Sequence, residues 1–570
     1  MILQSLNRCY ERLNARGEIA PEGFESKEIP FVLVIDAQGR LVQIDDTRTG
    51  SGRQKSVGSF RVPSAVKRSV GIAANLLWDT AEYVVGLVRE GGNPVRVADQ
   101  HAAFKARIDE LLSRTQDEGL LAVRRFLDAD PLAQVEADPK VEDLRQGNPN
   151  LTFRYVVDVA STLICQRPAV IAALSETSSD TASGAFCLVR GEADTTARLH
   201  PDIKGVLGSN AAIMKLVSFQ KDSGFDSYSK TQSYNAPVGE KAASAYTKAL
   251  NHLLRKGSRH RLQVGDASTV FWAEEDSPFE ETFAALFGAS QEDDPARGID
   301  RVRDWLSSPV TGVQSKAEGS ARFHVLGLVP NAARIAVRFW QVGTVREFDN
   351  RIRQHFSDIA IVVPSFESPY LPLWRLLAST ALTGESKNVI PNLASETMHA
   401  ILSGSNYPAT LLQAVIRRCR AEQSVPFARA AVIKACLNRQ IRFNQSPEKE
   451  FLPMLDPDNT NPGYRLGRLF AVLEKIQEEA SPDLNATICD RYYGAASSTP
   501  VTVFSTLDRL SKHHLSKLPE RQAIVRKRLI GEIMGGLDIS SFPPRVLPLA
   551  DQARFALGYY HQRQAFFTKS

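Results

Sequence analysis

The sequence predicts an α+β protein with a mixed amino-terminal portion that contains β-hairpins and an all-helical carboxyl-terminal portion that ends in a helical bundle. Short β-rich runs flank turn residues up to about residue 365. Beyond that point apolar residues recur at helical spacing between prolines and glycines. Since 570 residues exceed what one hydrophobic core organises, we expect three domains: 1–365, a connecting region 366–453 and a bundle 454–570.

The mixed portion begins with a predicted amphipathic helix over residues 1–16 and a β-hairpin, IPFVLVI–DAQG–RLVQI, over 29–44. Residues 47–69 are rich in Gly, Ser and basic residues, which indicates an exposed loop. The remaining predicted elements are helices in 97–128 and 238–256, β-type runs at 151–165, 184–190 and 268–273, and a hairpin over 321–342.

The bundle is predicted to be self-contained, with its last helix burying one apolar stripe that includes Ala553, Leu557 and Phe567. Its candidate helices are 463–480, 485–494, 500–517, 519–535 and 548–567.

Composition is that of an ordinary soluble protein, with 43% apolar and 23% charged residues. The six cysteines form no CxxC pair, which favours a reducing compartment. Arg8, Glu11 and Arg12 interrupt the start where a signal peptide needs an apolar run, and no run is long enough for a membrane span. We therefore expect a cytoplasmic protein without membrane contact.

Charge is concentrated in two acid-free stretches, although the whole chain carries only +5. The first basic run, residues 47–78, and the second basic run, residues 241–265, each carry six bases. Clustered bases neutralise phosphates and release counterions, so both runs are candidate nucleic-acid contacts. A solvated basic face is the alternative. The candidate phosphate contacts are Arg48, Arg53, Lys55, Arg61, Arg255, Lys256, Arg259 and Arg261.

A polar-aromatic loop, residues 217–238, lies between the two runs. Its Lys230, Gln232 and Asn235 can read base edges, and interleaved aromatic side chains can stack on bases. An ordered loop with buried aromatics is the alternative. The aromatic residues are Phe219, Phe225, Tyr228 and Tyr234.

Catalytic motifs are missing: the sequence has no Walker phosphate loop, no HExxH and no helicase-type DExH. The acidic clusters 274–276 and 292–294 lie in polar, loop-like sequence and are interpreted as solvated surface rather than a metal site. A metal-independent ribonuclease that uses Tyr246, His252 and His260 stays open, as does a pure protein scaffold.

Several blocks in order along the chain resemble one family. They include MILQSLNRCYERL, IPFVLVIDAQGRLVQIDDTR, GIAANLLWDTAEYVVG, HVLGLVPNAARIAVRFW and NPGYRLGRLFAVLEKIQ, and the most specific runs from ARLHPDIKG to KALNHLL. In these blocks the chain resembles the large subunit of the type I-C CRISPR surveillance complex (Cascade), a Csd-type CRISPR-associated protein.

The resemblance implies a non-enzymatic, RNA-guided role in antiviral defence, without cofactor or metal. Such subunits bind duplex target DNA at the protospacer-adjacent motif (PAM), promote strand separation into an R-loop and recruit a separate helicase–nuclease. The implied partners are the crRNA, the target duplex and its displaced strand, the Cascade backbone subunits, the subunit that caps the crRNA 5′ handle, and a small subunit.

The candidate PAM-binding residues fall in two places. The first is the segment from Lys67 to Asn75, in which Asn75 is the residue best able to make bidentate base contacts or, alternatively, to cap a helix. The second is Lys230, Gln232 and Asn235. A basic cluster in the bundle is a candidate strand path. The first segment contributes Lys67, Arg68, Ser69, Gly71 and Asn75, and the bundle contributes Arg521, Arg526, Lys527 and Arg528.

The resemblance further implies that the bundle is also made separately, as the small subunit, from an internal start. Glu448-Lys449-Glu450 is encoded by nine consecutive purines whatever the codon choice, and three codons separate it from Met454. That spacing suits a ribosome-binding site, so Met454 is the predicted start of a short product. Coincidence is the alternative.

Overall fold

The computed structural model describes residues 1–570 except 51–55, 67–70, 177–184, 209–213, 222–223, 225, 227, 288–302, 307–317, 333, 365–369, 386–387, 483, 536, 538–543 and 568–570. Its contacts divide the chain into two compact units. The first unit comprises residues 1–201 and 217–250, and the second comprises 202–216 and 251–570. The predicted assignment of roles to 1–365, 366–453 and 454–570 stays a prediction.

The first unit contains eight described strands and the helices between them. The strands are β1 Phe24–Glu28, β2 Phe31–Ile35, β3 Leu41–Asp46, β4 Ser59–Pro63, β5 Trp78–Thr80, β6 Asn150–Tyr155, β7 Ala185–Phe186 and β8 Ala193–Asp194. The helices are α1 Ile2–Ala15, α2 Ala81–Val84, α3 Pro94–Leu112, α4 Glu118–Asp128, α5 Pro131–Glu136, α6 Val141–Gly147 and α7 Pro168–Glu176, with 3₁₀ turns at Ile164–Gln166 and Gln232–Asn235. Helix α8, Glu240–Leu254, begins in this unit.

The main sheet of this unit has the strand order β3-β2-β6-β5. Strands β2 and β3 form the predicted hairpin, with Gly39 in its turn at φ +78°. Strand β6 lies parallel to β2, which pairs Phe31 with Leu151. All five β2 residues are buried, as expected of a strand with neighbours on both sides. Helices cover the sheet, and the rings of Phe126 on α4 and Phe153 on β6 meet at 5.8 Å.

Two expectations for this unit are wrong in detail. Residues 59–63 fall within the predicted exposed loop, yet they form β4, which pairs with β1 and buries Val62 completely. The short alternation of SFRVP is weak as a strand signal until its partner is known. In the β-type run 151–165, only the residues up to Tyr155 form a strand, and Ile164–Gln166 is a 3₁₀ turn.

The second unit begins with an antiparallel sheet and continues as helices throughout its described part. Its strands are β9 Arg261–Val264, β10 Ala267–Ala273, β11 Arg322–Asn331 and β12 Arg334–Thr344, and its 3₁₀ turns are Glu318–Ser320, Leu382–Gly384 and Pro500–Thr502. The helices are α9 Phe279–Phe287, α10 Val345–Ile359, α11 Leu373–Ala378, α12 Pro391–Ser403, α13 Ala409–Glu422, α14 Phe427–Phe443, α15 Pro462–Ala480, α16 Ile488–Ala496, α17 Phe504–Leu515, α18 Glu520–Met534 and α19 Leu549–Ala565.

Sequence order is kept in this sheet, β12-β11-β10-β9, which confirms the predicted hairpin of residues 321–342.

Local capping begins the helices that follow. Thr344 and Glu347 form a capping box at the start of α10, and Asn461 caps α15 with Pro462 at its first position. The predicted α+β architecture is therefore confirmed.

The carboxyl-terminal helix α19 is the centre of the helical part rather than a one-sided surface helix. Residues 555–562 are all buried, because α19 is surrounded by helices from before and after residue 454. Phe567, predicted to lie on a buried stripe, is 66% exposed. One continuous core runs from Leu262 to Tyr560, so the core of residues 454–570 is not separate from that of the preceding helices.

Two glycines allow α15 and α19 to approach closely. A Cβ at Gly467 would lie 2.0 Å from the carbonyl oxygen of Phe555, and one at Gly558 would lie 2.1 Å from that of Tyr464. Any larger residue would therefore separate the two helices. Among the described helices, none has the length and apolar character needed to cross a membrane.

Candidate nucleic-acid interface

The first basic run contains a loop, residues 64–77, that is fixed at its base. The indole Nε1 of Trp78 donates to the carbonyl oxygen of Pro63 at 2.7 Å, and the backbone N–H of Asn75 donates to Asp79 Oδ2 at 2.8 Å. Gly71 is exposed and has φ +100°. Lys67, Arg68 and Ser69 lie outside the described residues. Hydrogen bonds thus fix the described residues at the two ends of this loop.

Asn75 belongs to that base. Its side chain is 5% exposed, and its Oδ1 accepts the backbone N–H of Val66 at 3.0 Å. The helix that follows begins at Ala81 with Thr80 at its N-cap, so Asn75 does not cap it. Burial and this hydrogen bond favour a positioning role for Asn75, and its base contact stays a prediction.

Arg48 is neutralised within the first unit. Its guanidinium bonds Asp46 at 2.7 Å and Asp143 at 2.5 Å, and it lies 4.5 Å from the ring centroid of Phe31. These two carboxylates raise the pKa of Arg48. Arg61 lies on β4 and donates to the carbonyl oxygen of Gly17 at 3.2 Å. Arg53 and Lys55 lie outside the described residues.

The polar-aromatic loop combines a fixed backbone with exposed side chains. Asn235 Nδ2 donates to the carbonyl oxygens of Lys230 at 2.7 Å and Gln232 at 3.3 Å. Gln232 is held from both sides, because its Oε1 accepts from Arg198 at 2.7 Å and its N–H donates to Asp226 at 3.1 Å. Gln232 and Asn235 therefore shape the loop, and Arg198 is a contributor that sequence reasoning missed.

The side chains that this loop presents outward are aromatic and basic. Tyr228 is 96% exposed, Tyr234 is 42% exposed, and Lys230 is exposed. Tyr228 and Ser229 both have positive φ, at +52° and +60°, a conformation that costs free energy for residues other than glycine. Phe219 is half-buried, and Phe225 lies outside the described residues. An exposed tyrosine beside a lysine is a suitable surface for stacking on a base and contacting its phosphate.

The second basic run divides into exposed and engaged bases. Arg255 and Lys256 are exposed at the end of α8 and make no ion pair among the described residues. Arg259 pairs with Glu281 at 3.0 Å, and both side chains are more than two-thirds exposed. Arg261 donates to the carbonyl oxygen of Leu254 at 2.9 Å. Arg255 and Lys256 are thus the bases of this run best placed to meet phosphate.

Lys248, also in the second basic run, turns inward instead. Its Nζ donates to the carbonyl oxygen of Pro21 at 2.9 Å and lies 5.8 Å from the Tyr10 ring centroid. Burial lowers the pKa of Lys248 to about 8, while Glu22 and Glu25 oppose that shift. This lysine supports the fold of the first unit and does not face solvent nucleic acid.

Tyr246, one of the residues considered for ribonuclease chemistry, is not accessible. Tyr246 is fully buried, and its hydroxyl lies 2.7 Å from Nδ1 of His200, which is itself 1% exposed. Burial raises the pKa of Tyr246. A substrate phosphate has no access to that hydroxyl, so Tyr246 is unavailable for ribonuclease chemistry, whereas His252 and His260 are half-buried.

The acidic clusters do not assemble a metal site in the part of the chain that is described. Glu274 Oε1 bonds Nε2 of the buried His324 at 3.2 Å. The cluster 292–294 lies outside the described residues. No group of three His, Cys, Asp or Glu side chains able to hold a metal ion occurs among the residues described.

The basic cluster of the bundle lies on α18, whose residues are mostly exposed. Arg526 pairs with Glu479 at 2.6 Å and stacks over Phe566, and Arg528 pairs with Glu532 at 3.0 Å. Arg521 and Lys527 are exposed and unpaired among the described residues. Two of the four predicted strand contacts therefore face solvent without a carboxylate partner.

Comparison with known families identifies one match over nearly the whole chain. The profile of the family described as CRISPR-associated protein (Cas_Csd1) matches residues 6–567. No curated protein matches the sequence.

Proposed function

The chain belongs to the Csd1 family of CRISPR-associated proteins, and from that premise we propose that it is the non-catalytic large subunit of a type I-C Cascade complex. In this role it recognises the PAM on duplex DNA, promotes strand separation and recruits a separate helicase–nuclease. Guide pairing then reads the long target sequence, and the protein has only a short duplex motif and phosphates to read.

The observation that carries the proposal is the polar-aromatic loop. Tyr228 and Lys230 project from a backbone held by Gln232, Asn235 and Arg198. An exposed aromatic ring on a fixed loop can enter or flank a base step, which is how proteins begin to unstack a duplex. We assign Tyr228 to that wedge and Lys230 to the adjoining phosphate.

Sequence-independent affinity is assigned to bases without carboxylate partners. Among the described residues of the two basic runs these are Arg255 and Lys256. Arg48 is left out of this set because Asp46 and Asp143 already neutralise it. The crRNA, the backbone subunits and the subunit at the crRNA 5′ handle are the proposed partners.

The proposal is tested with the assembled complex and two duplexes that differ only in the PAM, across a salt series. We expect tighter binding and R-loop formation on the PAM-bearing duplex. Tyr228→Ala is expected to reduce R-loop formation more than initial binding. Arg255→Ala with Lys256→Ala is expected to weaken both duplexes equally and to lower the salt slope by about 1–2.

Arg48→Lys serves as the matched control, since it keeps the charge at a position that phosphate does not use. Equal binding of the two duplexes by the wild-type complex would refute PAM recognition. DNA or RNA cleavage by the purified full-length chain alone would refute the non-catalytic role.

We further propose that residues 454–570 are also produced separately as the small subunit. Met454 is 61% exposed in the segment between α14 and α15. Its location between two helices gives a short product that contains whole helices.

A further inference from the structure

A cleft in the helical part of the second unit has a composition suited to a nucleotide. It has a volume of about 450 Å³, within the range of roughly 300–1,000 Å³ that ligand pockets occupy. Helices α13, α16 and α19 form its walls. The lining residues are Gln413, Ile416, Arg417, Arg420, Ala421, Gly494, Leu549 and Gln552.

Both charges in the cleft are positive. Arg417 and Arg420 are three residues apart on α13, so their side chains project from the same helix face. Arg420 Nη2 donates to Ser498 Oγ at 3.3 Å, and Arg417 has no ion pair among the described residues. The lining includes no carboxylate, and the neighbouring Glu422 is engaged by Arg418 and Arg429. The cleft therefore has two positive charges and no carboxylate in its lining.

The remaining lining is apolar or amide. Ala421 and Leu549 supply an apolar surface above the buried Ile416, while Gln413 and Gln552 supply planar amides. Gln552 Nε2 donates to the carbonyl oxygen of Leu547 at 2.9 Å, which orients that amide. Amides and an apolar surface suit a nucleobase, whose edges bear donors and acceptors and whose faces are apolar.

Gly494 keeps the cleft open. A Cβ built at this residue would meet only the carbonyl oxygen of Arg420, at 4.0 Å. A side chain there would therefore occupy space in the cleft without displacing a neighbour. This glycine provides a way to fill the cleft while its charges stay in place.

From these contacts we propose that the cleft binds one unstacked nucleotide of a single strand. Arg417 and Arg420 hold its phosphate, and the base lies against Ala421 and Leu549. Such a strand is what the proposed function releases from the duplex, and the inference rests on that function. Because α13 precedes Met454, the site belongs to the full chain and not to a product that starts at Met454.

The test measures binding of the full-length chain to a fluorescein-labelled single-stranded DNA of about twelve nucleotides, across a salt series. Arg417→Ala with Arg420→Ala is expected to weaken binding about tenfold or more and to lower the salt slope by about 0.7–1.4, since each phosphate contact on a single strand contributes about 0.7. Arg509→Ala, which removes an exposed arginine that does not line the cleft, is the charge control.

Gly494→Leu tests the base. It is expected to weaken binding severalfold without changing the salt slope, whereas Gly494→Ala changes binding less. In parallel, 2-aminopurine placed within the oligonucleotide is expected to brighten on binding to the wild type, because the cleft has no aromatic lining residue to quench an unstacked base. Circular dichroism of each variant controls for folding.

Three results would overturn the proposal. The first is wild-type binding by Gly494→Leu, which would show a phosphate surface without a base pocket. The second is equal binding by the double arginine variant and Arg509→Ala. The third is binding of a glutamate-rich peptide in place of DNA with the same sensitivity to all cleft variants, which would identify a protein partner. Loss of PAM discrimination by the assembled complex would refute the proposed function alone, because this assay contains no duplex.

Discussion

Asn75 lies at the end of the 64–77 loop that precedes Trp78. Its two candidate roles, contact with a DNA base and positioning of the loop, predict different effects when the side chain is removed. Its Oδ1 accepts the N–H of Val66, and the residue is buried. Without that acceptor a backbone donor loses its partner, which costs about 1–3 kcal/mol.

We therefore expect Asn75→Ala to lower the free energy of unfolding by that amount, measured by urea denaturation. Ser64→Ala, which alters an exposed side chain of the same loop, is expected to change it by less than about 0.5 kcal/mol. In the assembled complex Asn75→Ala should weaken binding to duplexes with and without the PAM alike. A loss confined to the PAM-bearing duplex would instead assign Asn75 to base reading.

Lys248 gives a prediction about pH. Burial lowers its pKa in the folded state to about 8, against an ordinary value of 10.5. Between these values the unfolded chain binds the proton and the folded chain does not, so the stability contributed by this group rises with pH. Below pH 8 both states are protonated, and the burial penalty is constant.

We therefore expect Lys248→Met to be most stable relative to the wild type below pH 8. From pH 8 to 10.5 the free energy of unfolding of the wild type should rise relative to that of the variant. Denaturation midpoints of both proteins over pH 7–10.5 measure this difference. Lys230→Met, at an exposed lysine of the same unit, should track the wild type. Parallel curves for wild type and Lys248→Met would contradict the buried position.

Residue-scale roles were harder to predict than residue types. Arg48 lies in a stretch without acids along the chain, yet Asp143 reaches it from α6, 95 residues away. An acid-free run takes account only of residues that are near in sequence. The charge available to a phosphate also depends on the carboxylates that folding brings close to each base. Tyr228 was predicted as a stacking surface and is exposed. The engagement of Gln232 by Arg198 was missed because no local pattern links residues 34 apart.

At the scale of elements, the crossing of α15 and α19 gives the sharpest prediction. Gly558 brings its backbone against the carbonyl of Tyr464, where a Cβ would lie at 2.1 Å. Gly531 on α18 has no atom within 4 Å of a built Cβ. The two glycines share a helical backbone and differ only in surroundings.

Gly558→Ala is expected to lower the free energy of unfolding by about 1–3 kcal/mol or more, because the helices must separate. Gly531→Ala is expected to raise it by up to about 1 kcal/mol, since alanine favours a helix over glycine. Thermal or urea unfolding of both variants measures the contrast. Similar effects at the two positions would contradict the close crossing.

Elements with a local signature were predicted from sequence, and those that depend on distant partners were not. The sequence of the β2–β3 hairpin includes recognisable turn residues, and the helices of the bundle have apolar residues at helical spacing. Strand β4 forms by pairing with β1, and β6 pairs with β2, which is more than 100 residues away in sequence. The surroundings of α19 likewise come from helices before residue 454, which periodicity alone does not reveal.

At the scale of the whole molecule, the second unit bears on the proposed short product. Glu448 accepts from Arg554 Nε at 2.9 Å, and the rings of Phe451 and Tyr464 meet at 5.7 Å. A chain that starts at Met454 lacks Glu448 and Phe451 and the helices before them. The separate product must therefore cover part of α19 in another way, which makes contact with other subunits the expected means.

Because Met454 is exposed, Met454→Leu should leave the full chain folded and remove the 117-residue product. Intact-mass analysis of protein expressed from the gene with a carboxyl-terminal tag measures both. Met534→Leu is the control for replacing a methionine elsewhere in the bundle. A short product that persists in Met454→Leu would refute the internal start.

The central place of α19 also determines when the second unit can fold. The ribosome releases α19 after the sheet and the helices that pack around it. Until α19 is synthesised, the core that begins at Leu262 lacks its central helix, and the apolar faces that pack against this helix are exposed to solvent. Folding of this unit is therefore completed only after α19 has been synthesised, and the apolar surface exposed until then favours aggregation of incomplete chains.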